Sequence, residues 1–438
     1  MAADENSVLI ERIFQVHESP CKAVLAITGG GAEIIGELLR HGSGSATVLD
    51  AVVPYSTGAM DRFLGRKTEK YCSEKTARLM AMVAYQRALE LSRGEGSADQ
   101  EVIGIGATCK LKAANEREGR THEVHVAIQT ACQSGVSTLE LTAARTREQE
   151  EKIAALLIFN LLARHCGVSE IVLPDGIGTG KEKREERSGE RREERSGEKK
   201  EERGGERKEE RSGERREGKG EVIIEKYESV SSPVGNLLRQ QSYSQDSPSE
   251  TLGMARISLN EADALNEPGN IRLVFPGSFD PCHGNHIFMA KQASKKLDQP
   301  VHFEISLTNV DKPPIDFISL NQRLDSLREY KGEAFMGGVC LTNAPLFLQK
   351  AALFPNSTFI VGADTINRIF DAKYYKGLAD TSAILKHFKE KNVRFMVFHR
   401  KSVELSIKPE VLDFCEVIPV DEYEDDGTSS TEIRKKSE

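Results

Sequence analysis

The chain has no Cys-x-x-Cys pair, no paired Cys/His spacing, no apolar run of membrane-spanning length and no strong charge of either sign. Each absence excludes something. Eight cysteines (21, 72, 109, 132, 166, 282, 340 and 415) lie scattered, so neither a disulfide framework nor a zinc site is expected and the thiols read as reduced and mostly buried. A helix that crosses a bilayer needs about 20 apolar residues in a row, so no membrane span is expected. The opening Met1-Ala2-Ala3-Asp4-Glu5 lacks the basic-then-apolar pattern of a secretory signal. A formal net charge of −8 offers no overall attraction to nucleic acid or to an anionic membrane, which leaves free nucleotide as the better anionic ligand. The expected compartment is the cytoplasm, with the nucleus also allowed.

What is present divides the chain. A length of 438 residues is long for one core and suggests two or three domains. Between Glu182 and Gly213 an eight-residue unit recurs four times, EKREERSG, ERREERSG, EKKEERGG and ERKEERSG, with a degenerate copy running to Glu221. Each unit balances three Glu against three Lys or Arg and holds no apolar residue, so it can bury no core and projects little field toward a polyanion. A Ser-, Gln- and Asn-rich stretch follows, in which Glu221–Glu228 could add a short strand. Residues 176–268 are therefore expected to be a disordered linker between two α/β domains, 8–175 and 269–438.

In the first body, Ala23–Thr28, Val48–Tyr55, Val102–Thr108 and His122–Gln129 read as strands. Helices are expected over Ala32–Arg40, from Ser73 to about Leu91, and from the capping box Thr146-Arg147-Glu148-Gln149 to Cys166. His122 and His125 sit three apart in a strand, hence on opposite faces, and read as structural. The order of Thr28-Gly29-Gly30, Val52-Val53-Pro54-Tyr55-Ser56, Phe63-Leu64-Gly65, Ser73-Glu74-Lys75-Thr76-Ala77 and Gly104-Ile105-Gly106 resembles the C-terminal domain of the CinA family, over about Ser19 to Val168. Bacterial members of that family include nicotinamide mononucleotide deamidases. Where the family carries an acid and a hydroxyl ahead of Thr-Gly-Gly this chain has Leu25 and Ala26, and where it carries a lysine after Tyr-Ser this chain has Met60. Amide hydrolysis needs an activated nucleophile, a base and an oxyanion site, none of which Leu, Ala or Met supplies, so the resemblance implies a deamidase-like fold without its chemistry.

The second body alternates strand and helix throughout: strands at 271–276, 302–307, 338–342, 357–363, 393–399 and 416–420, helices near 286–297, 319–330, 345–354, 365–371 and 380–390. That alternation predicts a Rossmann-like parallel sheet whose ligands bind beyond the carboxyl ends of the strands. Gly277-Ser278-Phe279-Asp280-Pro281-Cys282-His283-Gly284-Asn285-His286 follows the first strand, Lys312 lies beyond the second, Asp364 and Thr365 follow the fourth, and Ser429-Ser430-Thr431-Glu432-Ile433-Arg434 follows the last. His283 and His286 can face one anion at a helix start, and Ser430, Thr431 and Arg434 offer a second set of phosphate contacts. Two anion cradles on one sheet suggest a triphosphate. Cys282 beside them reads as a small packing residue.

These motifs make 269–438 resemble the cytidylyltransferase-like nucleotidylyltransferases, most of all nicotinamide or nicotinate mononucleotide adenylyltransferases. The Ser-Ser-Thr-x-Ile-Arg signature is intact. In the first signature, Asn285 stands where the family has glycine before the last histidine, and Gly284 comes one place early. The resemblance implies His283, His286 and Arg434 as catalytic, and Gly277, Ser278, Phe279, Lys312, Asp364, Thr365, Ser429, Ser430 and Thr431 as nucleotide-binding, with no metal held by protein ligands alone. It implies ATP and Mg²⁺, a phosphorylated mononucleotide as acceptor, no nucleic acid and no membrane as partners, and leaves a homo-oligomer open. Alternatives are CMP or AMP transfer to another phosphorylated acceptor, or a non-catalytic nucleotide-binding scaffold.

Overall fold

The computed structural model of the protein describes residues 2–94, 100–115, 119–181, 221–241, 252–257, 259, 271–309, 313–370, 381–399, 405, 409–419 and 433. The octad repeat lies outside them. The first unit runs α1 (Ala2–Glu18), β1 (Lys22–Thr28), α2 (Glu33–Arg40), β2 (Val48–Val52), α3 (Thr57–Leu64), α4 (Glu74–Gly94), β3 (Val102–Lys110), β4 (His122–Gln129), β5 (Gln133–Leu141) and α5 (Arg147–His165). The predicted capping box is present: Thr146 Oγ1 accepts from Gln149 N at 3.2 Å, and Gln149 Oε1 accepts from Thr146 N at 2.8 Å. The second predicted strand stops at Val52, two residues short of Pro54, which has no N–H for a ladder. On one face of the sheet α5 buries Ile153, Leu157, Phe159 and Leu161 against Val124, Val126 and Ile128 of β4. On the other, Gly104 and Gly106 let α4 lie directly on β3, since a Cβ at Gly106 would come within 2.3 Å of Ala77 O.

The segment 176–268, expected to be a linker with a short strand at Glu221–Glu228, holds β6 (Gly178–Lys181), that strand as β7 (Val222–Ser229), and also α6 (Ser232–Gln241) and β8 (Met254–Ile257). β7 pairs antiparallel with β5, and β6 pairs parallel with β7, giving the first sheet the order β2-β1-β3-β4-β5-β7-β6. The correction has a physical cause. Ile223 supplies one apolar anchor to the core, and Glu221 caps the entry by accepting from Ala143 N at 2.8 Å and pairing with Arg145 at 2.6 Å. On α6, Val234, Leu237 and Leu238 form a short apolar stripe at helical spacing.

The second unit continues with β9 (Leu273–Pro276), α7 (Gly284–Leu297), β10 (Val301–Ser306), α8 (Phe317–Arg328), β11 (Met336–Thr342), α9 (Phe347–Leu353), β12 (Thr358–Gly362), α10 (Ala363–Ile369), α11 (Thr381–Glu390), β13 (Arg394–Phe398), α12 (Pro409–Leu412) and β14 (Cys415–Ile418). Its sheet order is β14-β13-β12-β9-β10-β11-β8, parallel from β11 to β14, with β8 antiparallel at the edge. The predicted strands and helices of this unit are thus present, and both units are α/β.

The two units touch. The Asp316 carboxylate, at the start of α8, accepts from Arg78 on α4 at 2.8 Å, with both side chains nearly excluded from solvent. Next to it Phe317 N donates to Ser134 Oγ at 2.8 Å, and Asn321 Nδ2 donates to Glu228 Oε1 at 3.0 Å. Ile318 inserts among Ala77, Ala81, Ala127 and Val136. Helix α8 therefore belongs to both bodies. No helix among the described residues is long and apolar enough to cross a membrane.

Candidate functional site

In the second sheet the chain proceeds from β9 outward through β10 to β11, then returns to place β12 on the other side of β9. The direction of winding reverses between β9 and β12, which pair in parallel with Leu273 opposite Thr358. In an open parallel sheet the crevice beyond the carboxyl ends of such a strand pair is where ligands bind. The loop after β9 is Gly277–His283, and the first turn after β12 contains Asp364 and Thr365.

The Gly277–His283 loop is held from beneath. Gly277 N donates to Glu304 O at 2.9 Å, and the Glu304 carboxylate, fully buried, accepts from Lys350 Nζ at 2.7 Å through each oxygen. Phe279 has a left-handed backbone (φ 43°), a conformation that costs a bulky residue roughly 1–3 kcal/mol unless packing imposes it. Here packing does. Its fully buried ring meets Phe275, Phe303 and His286 edge-on, with centroids 5.3, 5.1 and 5.2 Å away. The same ring explains Gly277, where a Cβ would come within 2.6 Å of Phe279 Cζ. The Phe279 side chain therefore shapes the loop from the core, which leaves only its backbone groups to meet a nucleotide.

Helix α8 clamps the outer side. Arg323 NH1 donates to Ser278 O at 3.1 Å and approaches Asp280 through NH2 at 3.5 Å, while Cys282 N donates to Ser326 Oγ at 3.0 Å. Sequence reasoning missed Arg323 and Ser326. They lie on a helix remote in the chain, and no local motif marks them. Burial raises the Cys282 thiol to about 12, consistent with the packing role expected of it.

His283 is the N-cap of α7 in extended conformation (φ −145°, ψ 173°), so the first-turn amides of this 14-residue helix stand beside its imidazole. The rings of His283 and His286 lie 3.8 Å apart between centroids. Nδ1 of His286 accepts from His283 N at 3.3 Å, which leaves Nε2 of the neutral ring as an N–H donor. Gly284 faces open space, with no heavy atom within 4 Å of an added Cβ. Asn285, which stands where the resemblance expects glycine, is buried. Ser278 is exposed, and Asp364 is more than half exposed, its carboxylate 3.9 Å from Arg368. Lys312, Ser429, Ser430, Thr431 and Arg434 lie outside the described residues.

Two adjacent imidazoles and helix-start amides beside a strand switch point are suited to a polyphosphate. Residues 274–436 match the cytidylyltransferase-like family model. The second unit thus carries a cytidylyltransferase-like domain. Solved structures similar to the chain include a CinA superfamily protein from Escherichia coli (18% identity, 34% of this chain and 80% of that one, TM-score 0.25). Another is the competence/damage inducible protein CihA from Agrobacterium tumefaciens (18%, 36% and 94%, TM-score 0.28). A third is the Plasmodium falciparum nicotinic acid mononucleotide adenylyltransferase complexed with NaAD (18%, 37% and 82%, TM-score 0.25). No curated protein matches the chain significantly.

At the corresponding strand end of the first unit, Leu25 and Ala26 are fully buried in β1 and Met60, on α3, is buried. The Gly29–Gly31 turn is filled, since a Cβ at Gly29 would lie 1.9 Å from Cys109 O and one at Gly31 2.5 Å from Ile158 Cδ1. His122 pairs with Glu150 at 2.6 Å, and His125 contacts Thr138 at 3.1 Å and Glu123 at 3.3 Å.

Proposed function

We propose that the second unit transfers the AMP moiety of ATP to a pyridine mononucleotide, nicotinamide or nicotinate mononucleotide, forming a dinucleotide and pyrophosphate in NAD synthesis. The observation that carries this reading is the seat of His283 and His286 at the start of α7, beside the β9/β12 switch point. A 5′-phosphate oxygen of the acceptor attacks the α-phosphorus of ATP in line, the bond to the α–β bridging oxygen breaks, and pyrophosphate leaves with the charge. No protein nucleophile is required. The domain contributes position and charge compensation, with the two imidazoles donating to phosphate oxygens as charge builds on the leaving group.

Arg434, Ser430, Thr431 and Ser429 are assigned to the departing β- and γ-phosphates by the motif they share with the family, and Lys312, which follows β10 in the sequence, to the acceptor phosphate. Mg²⁺ travels with the triphosphate and keeps most of its waters, so a single exposed carboxylate such as Asp364 fits it, either through a bound water or by holding a ribose hydroxyl instead. Burial of Asn285 and the open face of Gly284 favour turnover over a non-catalytic scaffold, because the missing glycine leaves no obstruction. The first unit hydrolyses no amide in this reading, since Leu25, Ala26 and Met60 are apolar and buried.

The test is dinucleotide formation from ATP and Mg²⁺ with nicotinamide mononucleotide, nicotinate mononucleotide or, as a donor control, CTP. The expected result is dinucleotide from one or both pyridine acceptors, with pyrophosphate in equal amount, lost in His283→Ala/His286→Ala. ATP binding without turnover by the parent chain would overturn the transferase in favour of the scaffold.

A further inference from the structure

Cys72, in the loop that enters α4, and Glu123 and His125, on β4, are remote in sequence and meet on one face of the first sheet. Residues two apart on a strand share a face, and His125 stands opposite Thr108 of β3, whose carbonyl lies 3.7 Å from Cys72 Sγ. One donor atom from each of the three lies within 4.8 Å of the others. Glu123 Oε2 and His125 Nε2 are 3.3 Å apart. Two ligands on a tetrahedral ion with bonds of about 2.0–2.2 Å sit roughly 3.3–3.6 Å from each other, so this pair is already spaced for one. The other ring nitrogen, Nδ1, is 3.1 Å from Thr138 Oγ1. A hydroxyl that takes the Nδ1–H fixes the imidazole so that Nε2 presents its lone pair, as the outer partners of metal-bound histidines do.

We propose that Cys72, Glu123 and His125 form a site for one thiophilic divalent cation of the zinc class, with its fourth position open to water. A thiolate, an imidazole and a carboxylate select against the oxygen-seeking Mg²⁺ and Ca²⁺. Charge balance agrees. The thiolate and carboxylate together cancel a divalent ion, so Lys110 and Arg120, which lie near Cys72, face no excess of positive charge. Cysteine spacing along the chain excludes a zinc finger and still permits this site, because its ligands are gathered by strand pairing and by the close seat of α4.

The experiment is a Co²⁺ titration of the full chain after chelator treatment, reading the thiolate-to-cobalt charge-transfer band and the visible absorption of a four-coordinate ion, followed by displacement with Zn²⁺. One equivalent is expected to develop both signals. Cys72→Ser loses the charge-transfer band and Cys415→Ser keeps it. Thr138→Val weakens binding about 10–100-fold, as loss of an outer partner does. Glu123→Gln, at a partly exposed position, weakens it at least as much without disturbing the core, and decides the matter should Cys72→Ser fail to fold. No thiolate band in the parent, a band that survives Cys72→Ser, or affinity unchanged in Glu123→Gln would each overturn the site.

Discussion

Both units run a parallel strand into a turn and a helix, Thr28 to Glu33 in the first and Pro276 to Gly284 in the second, and they treat the space above the turn in opposite ways. In the first, the glycines at 29 and 31 are pressed against Cys109 and Ile158, and the helix beyond opens with Glu33, which repels an anion. In the second, Gly284 looks into open space and the turn carries two imidazoles. A glycine-rich strand-to-helix turn is therefore not by itself an anion site. What distinguishes the two is whether a neighbouring strand and helix fill the volume.

The joint between the units gives the largest expected effect on stability. Arg78→Ala leaves the buried Asp316 carboxylate without its guanidinium and should lower unfolding stability by about 3–5 kcal/mol in a denaturant titration. Arg78→Ala/Asp316→Asn should recover part of that loss. A change below about 1 kcal/mol, the size of an exposed pair, would mean that the units do not rest on this contact.

Gly29→Ala comes next. A methyl group there meets the Cys109 carbonyl, and φ is 79°, so a loss of roughly 2–4 kcal/mol is expected, with the turnover proposed for the second unit retained. Loss of turnover in a folded variant would tie the first unit's turn to the reaction and break the contrast.

Acid should loosen the first sheet at β7. Burial works to raise the pKa of Glu221, but the Arg145 guanidinium and the amides of Ala143 and Thr142 outweigh it and hold the carboxyl at about 2, below the ordinary 4.5. The folded value is the lower one, so this stabilisation is complete above pH 4.5 and disappears as pH falls toward 2. Thermal melts across that range should show a shallower acid slope for Glu221→Gln than for the parent.

The smallest expected change in stability is the most discriminating. Gly284→Ala has room for its methyl and replaces a helical glycine, so its unfolding stability should be unchanged or higher by less than about 1 kcal/mol. Its KM for ATP should nevertheless rise several-fold, because the methyl occupies space assigned to phosphate. An unchanged KM would remove the second turn's claim to be the open one.

Much of this contrast was legible before the fold. The parallel α/β plan of the second unit follows from its alternation of apolar runs and amphipathic helices, and Gly277, His283 and His286 announce their loop because they stand together just after a strand. The burial of the Phe279 ring is not legible in the motif, because a position in a loop does not say whether its side chain faces solvent or core. In the segment 176–268 only the strand at Glu221–Glu228 is legible, because the apolar anchors of α6 and β8 are few and set among polar residues. Arg323 and Ser326 carried no signal, since their partners are backbone groups far along the chain.

The sequence by itself determined the alternation of the two bodies, the charge-balanced octads between them, the capping of α5 and the placing of two histidines after a strand, all properties that act over a few residues. Only the tertiary structure decided that β7 and β8 extend opposite sheets, that α8 locks the units through Asp316 and Arg78, that Asn285 is buried, and that Cys72 meets Glu123 and His125. Those outcomes depend on which distant surfaces exclude water together, and the long-range packing that settles this leaves no mark on neighbouring residues.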